Sequence, residues 1–220
     1  MDASNLSPLI LCAFGVTVMG FVSRLYFGAP GAREHLSYLT TRWRAYTLRR
    51  GDHVWSPGRW SLLSLSGLQI YARMHGVRNF SVFEAQLTET HKPDAPARET
   101  LFVSAPTWMP DESSIEIQSE TARLASREPA LIAHGLAVYA QPQDLAAAFS
   151  SPEGERVLEA IANLPAGTSL QASREDRYKK FSVPPASASL RVPHWCVDAD
   201  ELDDCIDLVT RFCRLCRAAS

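Results

Sequence analysis

The side chains best suited to metal chemistry lie near the C-terminus of the 220-residue chain. Cys213 and Cys216 form a CxxC pair, and His194 with Cys196 would complete the nitrogen and sulfur ligands of a structural zinc site. However, Cys205, Cys213 and Cys216 share the apolar face of a predicted helix, where free cysteines pack as small hydrophobic residues. A zinc-binding CxxC usually lies on a turn instead. We therefore expect buried cysteines and no metal.

Other catalytic patterns are missing from the sequence. The six histidines form no HExxH, HxH or i, i+4 pair, and there is no GxSxG, GxxxxGK[ST] or GxGxxG. His134 lies in an apolar run and is interpreted as structural. We therefore predict no catalytic residue, no cofactor and no enzymatic activity. An enzyme whose site residues are dispersed along the sequence is kept as an alternative.

A run of carboxylates precedes the last helical pattern and could be read as a cation site. Its members are Asp198, Asp200, Glu201, Asp203 and Asp204. A calcium loop of the DxDxDG type needs glycine where Asp203 stands. The favourable interaction of acidic residues with a helix N-terminus explains the run without an ion. We expect Asp198 to be the N-cap, with Glu201 completing a capping box.

Composition narrows the range of partners. A formal net charge of −2 and a pI near 6.3 disfavour nucleic-acid binding, which usually requires a strongly basic surface. A hydrophobic content of 46% is enough for a packed core. The chain is therefore predicted to form one substantial domain rather than a disordered tail.

The N-terminal segment reads as a membrane anchor over residues 1–28. No charged side chain occurs from Ala3 to Ser23, and residues 3–27 give the length of about 20 apolar residues that a spanning helix needs. A cleaved signal peptide is disfavoured because MDASNL has no basic residue. The alternative is a buried helix of the soluble core.

Arginines after this segment predict its orientation. They are Arg24, Arg33, Arg42, Arg44, Arg49 and Arg50, opposed only by Glu34. Basic residues beside a span stay cytoplasmic, so we expect a single-pass protein of the inner membrane with its N-terminus outside and its C-terminal domain in the cytoplasm. An odd number of cysteines, five, fits a reducing compartment.

Residues 29–50 are predicted to form a juxtamembrane amphipathic helix, with an apolar stripe that includes Trp43. The helix either lies on anionic lipid headgroups or packs on the domain. In the anchor, small residues would let a helix of an integral membrane partner approach closely. The predicted partner and lipid contacts are Gly15, Gly20, Arg42, Trp43 and Arg44.

Residues 51–220 are predicted to be a soluble α+β domain, an antiparallel sheet with helices packed on it. Strands are predicted over residues 60–65, 68–74, 79–88, 99–104, 114–118, 131–140, 168–172 and 180–183, with a tight turn at His75-Gly76 and a loop over PPASAS, 184–189. Helical segments are predicted over residues 144–149, from Pro152, and after Asp198.

Together, these features predict a non-enzymatic accessory or assembly subunit of a larger inner-membrane protein complex, for example an energy-transducing one. The alternative is a membrane-tethered domain that binds or senses a small ligand or a peptide. An exposed apolar patch on the domain would favour the subunit, and a pocket of converging polar groups would favour the binding domain.

Overall fold

A computed structural model divides the chain into two compact units, Met1–Thr41 and Arg42–Ser220. The structure describes residue 41 and residues 53–57, 68–92, 95–110, 112–122, 127–174, 186–194 and 198–219. Apart from Thr41, the predicted anchor and juxtamembrane helix lie outside these residues, as do the predicted strands over 60–65 and 180–183. Among the described residues, no helix is both long and apolar enough to cross a membrane.

The second unit has the predicted α+β architecture. Its described strands are β1 (His53–Pro57), β2 (Leu68–Arg78), β3 (Ser81–Lys92), β4 (Ala95–Thr107), β5 (Ser114–Ser119), β6 (Leu131–Ala133), β7 (Leu136–Gln141), β8 (Ser169–Ser173) and β9 (Ala186–Val192). They form one sheet in the order β1-β2-β3-β4-β9-β8-β5-β7-β6, and all of their pairings are antiparallel. The predicted strands over 68–74, 79–88 and 99–104 correspond to the consecutive antiparallel strands β2, β3 and β4. Strand β1 was not predicted, and β9 enters the middle of the sheet.

Two local predictions were wrong. His75 and Gly76 do not form a turn, because both lie in β2 and pair with residues of β3. The turn between the two strands is at Asn79-Phe80. Ala186 to Ser189, which were predicted to lie in a loop, belong to β9. The alternation of small apolar and polar residues in ASASLRV suits a strand with one buried face, and pairing on both sides decides its conformation.

The predicted strand over 131–140 is two strands joined by a turn at His134-Gly135. Both turn residues have positive φ, 54° and 71°, as a two-residue hairpin turn requires. His134 is therefore exposed, and its ring hydrogen-bonds Glu155 at 2.8 Å. The apolar run around His134 is thus interrupted by a turn, and the hydrogen bond to Glu155 is consistent with the structural role predicted for this histidine.

The helices pack on one face of the sheet. The three that do so are a 3₁₀-helix (Gln143–Ser150), α1 (Pro152–Ala162) and α2 (Ala199–Ala218), and a further 3₁₀-helix of three residues (Glu120–Ala122) follows β5. Ser151 caps α1 by accepting a hydrogen bond from the Gly154 backbone N–H at 3.1 Å. A side chain on Gly154 would collide with the backbone of Phe149, so this glycine permits the close approach of α1 to the 3₁₀-helix.

Helix α2 closes the core, as its sequence predicts. Asp198 is the N-cap and accepts hydrogen bonds from the backbone N–H groups of Asp200 and Glu201. The predicted apolar stripe is buried against β4, β9, β3 and α1. Its aromatic centre is Phe212, 0% exposed, whose ring centroid lies 6.2 Å from that of Phe149.

Candidate functional site

The residues predicted to contact a partner or lipid lie outside the described part of the chain. They are Gly15, Gly20, Arg42, Trp43 and Arg44. Their role stays a prediction.

The cysteines of the predicted helix are core residues. Cys205, Cys213 and Cys216 are free, buried and at most 2% exposed. Burial, with smaller contributions from Glu201 and Asp204, raises the pKa of Cys205 to about 12. Burial likewise raises the pKa of Cys213 to about 11 and raises that of Cys216. These thiols stay protonated near neutral pH, whereas nucleophiles and metal ligands are thiolates.

The other two members of the hypothetical zinc set are His194 and Cys196. The His194 ring hydrogen-bonds the Glu201 carboxylate at 2.8 Å. Cys196 lies outside the described residues. Within the described ranges, no group of three or more His, Cys, Asp or Glu residues is arranged to hold a metal ion.

The described residues instead form a groove on the face of the sheet opposite the helices. Its volume is about 800 Å³. The lining residues come from β3, β4, β9, β8, β5 and the segment before β8: Gln86, Thr88, Thr100, Phe102, Glu116, Gln118, Ser119, Gly167, Thr168, Ser169, Gln171, Ser189 and Arg191. We call this set the polar groove. It follows from strand alternation, because successive side chains point to opposite faces of a sheet.

Strand register arranges the polar groove in two transverse rows. One row runs across five strands through Gln86, Phe102, Arg191, Ser169 and Gln118. With a strand spacing of about 4.8 Å, this row is about 19 Å long. Phe102 has an amide on one side and a guanidinium on the other.

The second row lies beside the first. It runs through Ser189, Gln171 and Glu116 and continues in register to Ser104 of β4, which does not line the groove. Strand β8 presents a hydroxyl or an amide in both rows, and β4, β9 and β5 each present one in a single row. The register produces a continuous polar surface from residues that are far apart in the chain.

Charge is sparse in the polar groove. Glu116 and Arg191 are the only ionisable side chains among its described lining residues. Glu116 lies 3.8 Å from the Arg127 guanidinium, which offsets its charge. The remaining polar side chains are amides and hydroxyls, which both donate and accept hydrogen bonds.

One amide of the polar groove has an unused donor. The side-chain nitrogen of Gln118 is buried, and it has no hydrogen-bond partner among the described residues. A buried donor without a partner is costly, and a ligand oxygen in the groove would satisfy it. Gln118 is therefore a candidate ligand contact at one end of the first row.

Sequence reasoning did not identify the polar groove. A usable signal was present in the polar positions that alternate with apolar ones in β5, β8 and β9, such as SLQAS and ASASLRV. Such alternation indicates a strand with one buried face. It does not reveal which strands are neighbours, and the groove exists only because β9 and β8 bring those faces together.

The second unit thus belongs to the class of α+β domains in which helices cover one face of an antiparallel sheet. No protein-family model and no curated protein matches the sequence. A solved structure, the mycobacterial trehalose monomycolate transport factor A, TtfA, is similar with a TM-score of 0.56. The match covers 81% of this chain and 94% of that chain at 8% sequence identity. At this identity, the similarity concerns the fold.

Proposed function

We propose that this chain is a non-enzymatic accessory subunit of an inner-membrane protein complex, and that its domain holds a neutral, polyhydroxylated group such as a sugar. The observation that carries the proposal is the polar groove. Its amides and hydroxyls match hydroxyl groups, which also donate and accept hydrogen bonds. A sugar ring presents an apolar C–H face as well, for which Phe102 provides a flat partner within the first row.

The charges of the polar groove favour a neutral ligand. An anionic ligand would be attracted by Arg191 and repelled by Glu116. A cationic ligand would be attracted by Glu116 and repelled by Arg191. The groove lining itself carries one charge of each sign, Glu116 and Arg191, so it strongly prefers neither sign of ligand charge, while Arg127 beside Glu116 adds positive charge outside the lining. Hydrogen bonding and stacking would therefore dominate both affinity and specificity.

The membrane part of the proposal rests on the sequence. The uncharged segment over residues 3–23 and the arginines after it motivate an anchored subunit. The similar structure is that of a trehalose monomycolate transport factor, so a domain of this architecture is known in a protein named for transport of a trehalose compound. We propose a comparable handling role for this chain.

A tethered binding domain that works without a partner is the second candidate, and the same groove favours it. The two candidate functions differ in whether a partner protein co-purifies with the full-length protein. Extraction in mild detergent should yield a complex for the accessory subunit and a single species for the tethered domain.

Titration of the full-length protein with trehalose and maltose tests the ligand class. We expect saturable binding by calorimetry. Phe102→Ala should weaken binding about tenfold, the effect of losing an aromatic contact worth about 1.4 kcal/mol. Ser187→Ala is the matched control, because Ser187 is in β9 and exposed but does not line the groove.

Two results would overturn the ligand assignment. One is the absence of binding by either sugar at millimolar concentrations in protein that is folded by circular dichroism. The other is binding that Phe102→Ala and Gln118→Ala leave unchanged. Stronger binding of an anionic sugar, glucose 6-phosphate, would instead show that Arg191 governs the site and that the ligand is charged.

A further inference from the structure

The hairpin between β2 and β3 presents three apolar side chains to solvent. Phe80 is fully exposed at 104%, Val77 is 51% exposed and Val82 is 56% exposed. Val77 and Val82 are directly opposite each other in the register, and Phe80 lies in the turn that joins their strands. We call these three residues the hairpin tip. Single exposed apolar residues are common, but three at one turn indicate an interaction site.

The hairpin tip is free of neighbouring strands in the described sheet. On one side, the last pair is His53 of β1 with Gly76. On the other side, β3 pairs with β4 only from Glu84 onwards, opposite Ser104. Among the described strands, residues 77–82 therefore pair only within the hairpin.

Helix α2 holds the turn in place. The Arg78 guanidinium donates to the Asp207 carboxylate at 2.7 and 3.1 Å, a bidentate pair. The Asn79 side-chain amide donates to Asp207 at 3.1 Å and to Thr210 at 3.2 Å. Both residues that precede Phe80 are thus fixed to the helix. Phe80 is presented on a rigid support, which lowers the entropy cost of binding.

The backbone of the turn is unfavourable for phenylalanine. Asn79 and Phe80 have φ values of 49° and 63°, and positive φ at both central residues defines a type I′ turn. Glycine is strongly preferred at the second of these positions, after asparagine. Phe80 lacks both the freedom of glycine and any burial in the described domain. A strained residue that contributes no packing points to a functional role.

The charges beside the hairpin tip select its partner. Asp200, Asp203, Asp204 and Asp207 lie along one side of α2, the helix that holds the turn. Arg78 is bound to Asp207 and lies 3.7 Å from Asp203, and the positive charge of Arg211 also acts on Asp207, so the acidic character of this side of α2 comes mainly from Asp200 and Asp204. This surface is repelled by anionic lipid headgroups and attracted to basic residues.

We propose that the hairpin tip inserts Phe80 into an apolar pocket, rimmed by Lys or Arg, on a protein partner. The inference rests on the accessory-subunit role proposed above, and it names the surface through which the domain reaches its complex. A buried aromatic anchor surrounded by complementary charge is the usual arrangement of an interface hot spot.

Photocrosslinking from position 80 tests the contact. p-Benzoylphenylalanine replaces Phe80 in the full-length protein in its native cells, and Ile132 in a control. Ile132 is 47% exposed on β6, at the opposite edge of the sheet. We expect a discrete protein adduct from position 80 only. Asp200→Lys with Asp204→Lys should reduce its yield at least fivefold, because reversed charge repels a basic rim.

Phe80→Gly separates docking from folding. Glycine relieves the strained turn, so the melting temperature should rise while the amount of co-purifying partner falls at least about tenfold. Phe80→Trp keeps the anchor and should retain the partner. If Phe80 instead stabilised the fold, Phe80→Gly would lower the melting temperature.

The alternative occupants give different results. An adduct of twice the chain mass would identify a second copy of this chain and overturn the proposal. Phe80-dependent binding to vesicles of phosphatidylcholine and phosphatidylglycerol would identify a lipid surface and do the same. If a partner co-purifies equally with Phe80→Gly, only this inference fails. If wild-type protein elutes without a partner, the accessory-subunit role fails with it.

Discussion

The two faces of the sheet differ in chemistry although the same strands build them. Strand β9 shows the contrast: Ala186, Ala188, Leu190 and Val192 are buried on the helix side, whereas Ser187, Ser189 and Arg191 are on the other side. The helix side is closed by apolar packing with α2. The opposite side keeps amides and hydroxyls in ordered rows. Burial of apolar area stabilises the fold through the first face, which leaves the second available for binding.

The largest expected difference between the faces concerns their phenylalanines. Phe212→Ala removes a fully buried ring from the helix side and should lower the free energy of unfolding by about 3–5 kcal/mol. Phe102→Ala, on the groove side, should lower it by less than about 1.5 kcal/mol, because the ring is only partly buried. Urea unfolding measures both. Equal losses would mean that the groove side is part of the core.

Adjacent residues of β9 provide a finer comparison. Ala188→Ser places a hydroxyl on the buried side and should cost about 1–3 kcal/mol of stability unless it finds a partner. Ser189→Ala removes a hydroxyl from the groove side, where Ser189 is 8% exposed, and should change stability by less than about 1 kcal/mol. The urea unfolding midpoints of the two variants measure this difference between two adjacent residues on opposite faces of the sheet. A larger cost for Ser189→Ala would contradict the assignment of faces.

Alkaline pH should weaken the helix side specifically. The pKa of Cys205 is raised from 9.0 to about 12, so above pH 9 the unfolded thiol loses its proton while the folded thiol keeps it. The unfolded state then binds fewer protons, and stability falls by about 1.4 kcal/mol per pH unit for this thiol between pH 9 and 12. Urea unfolding at pH 8, 9 and 10 should show a shallower decline for Cys205→Ala than for wild type. Identical slopes would show that Cys205 is accessible to solvent.

The smallest expected effect concerns the contact between α2 and the hairpin. Hydrogen bonds from Arg78 are the main cause of the lowered pKa of Asp207, followed in the same direction by the Arg78 charge. This contribution to stability is present above the ordinary pKa of 3.8 and is lost as pH falls through the lower folded value. Asp207→Asn should lower the free energy of unfolding by about 1 kcal/mol at pH 7. The variant should also lose less stability than wild type when the pH falls below 4. An unchanged acid profile would indicate that the pair is open in solution.

Much of the helix side was predictable because its information is local. The N-cap Asp198, the apolar stripe through Phe212 and the dipole-matched charges are all contained within one helix. The start of α1 at Pro152 is predictable for the same reason. The strands β5 and β8 were also recognised, since each carries its own alternation.

The hairpin turn could not be placed from local pattern alone. His75-Gly76 looks like a better turn than Asn79-Phe80, because glycine favours turns and phenylalanine with positive φ is rare. Pairing of β2 with both β1 and β3 extends the strand through Gly76 and moves the turn. The contacts of Arg78 and Asn79 with α2 then stabilise it, and these join residues 128 or more positions apart.

The sequence by itself determined the α+β class, the amphipathic helix α2 and the burial of its cysteines, because helix periodicity and capping act over a few neighbouring residues. Only the tertiary structure decided that β9 lies between β4 and β8, that their outer side chains form the polar groove, and that Phe80 is at an exposed turn. The physical reason is that strand order depends on pairings between distant segments. Local propensity sets the faces of each strand but not its neighbours.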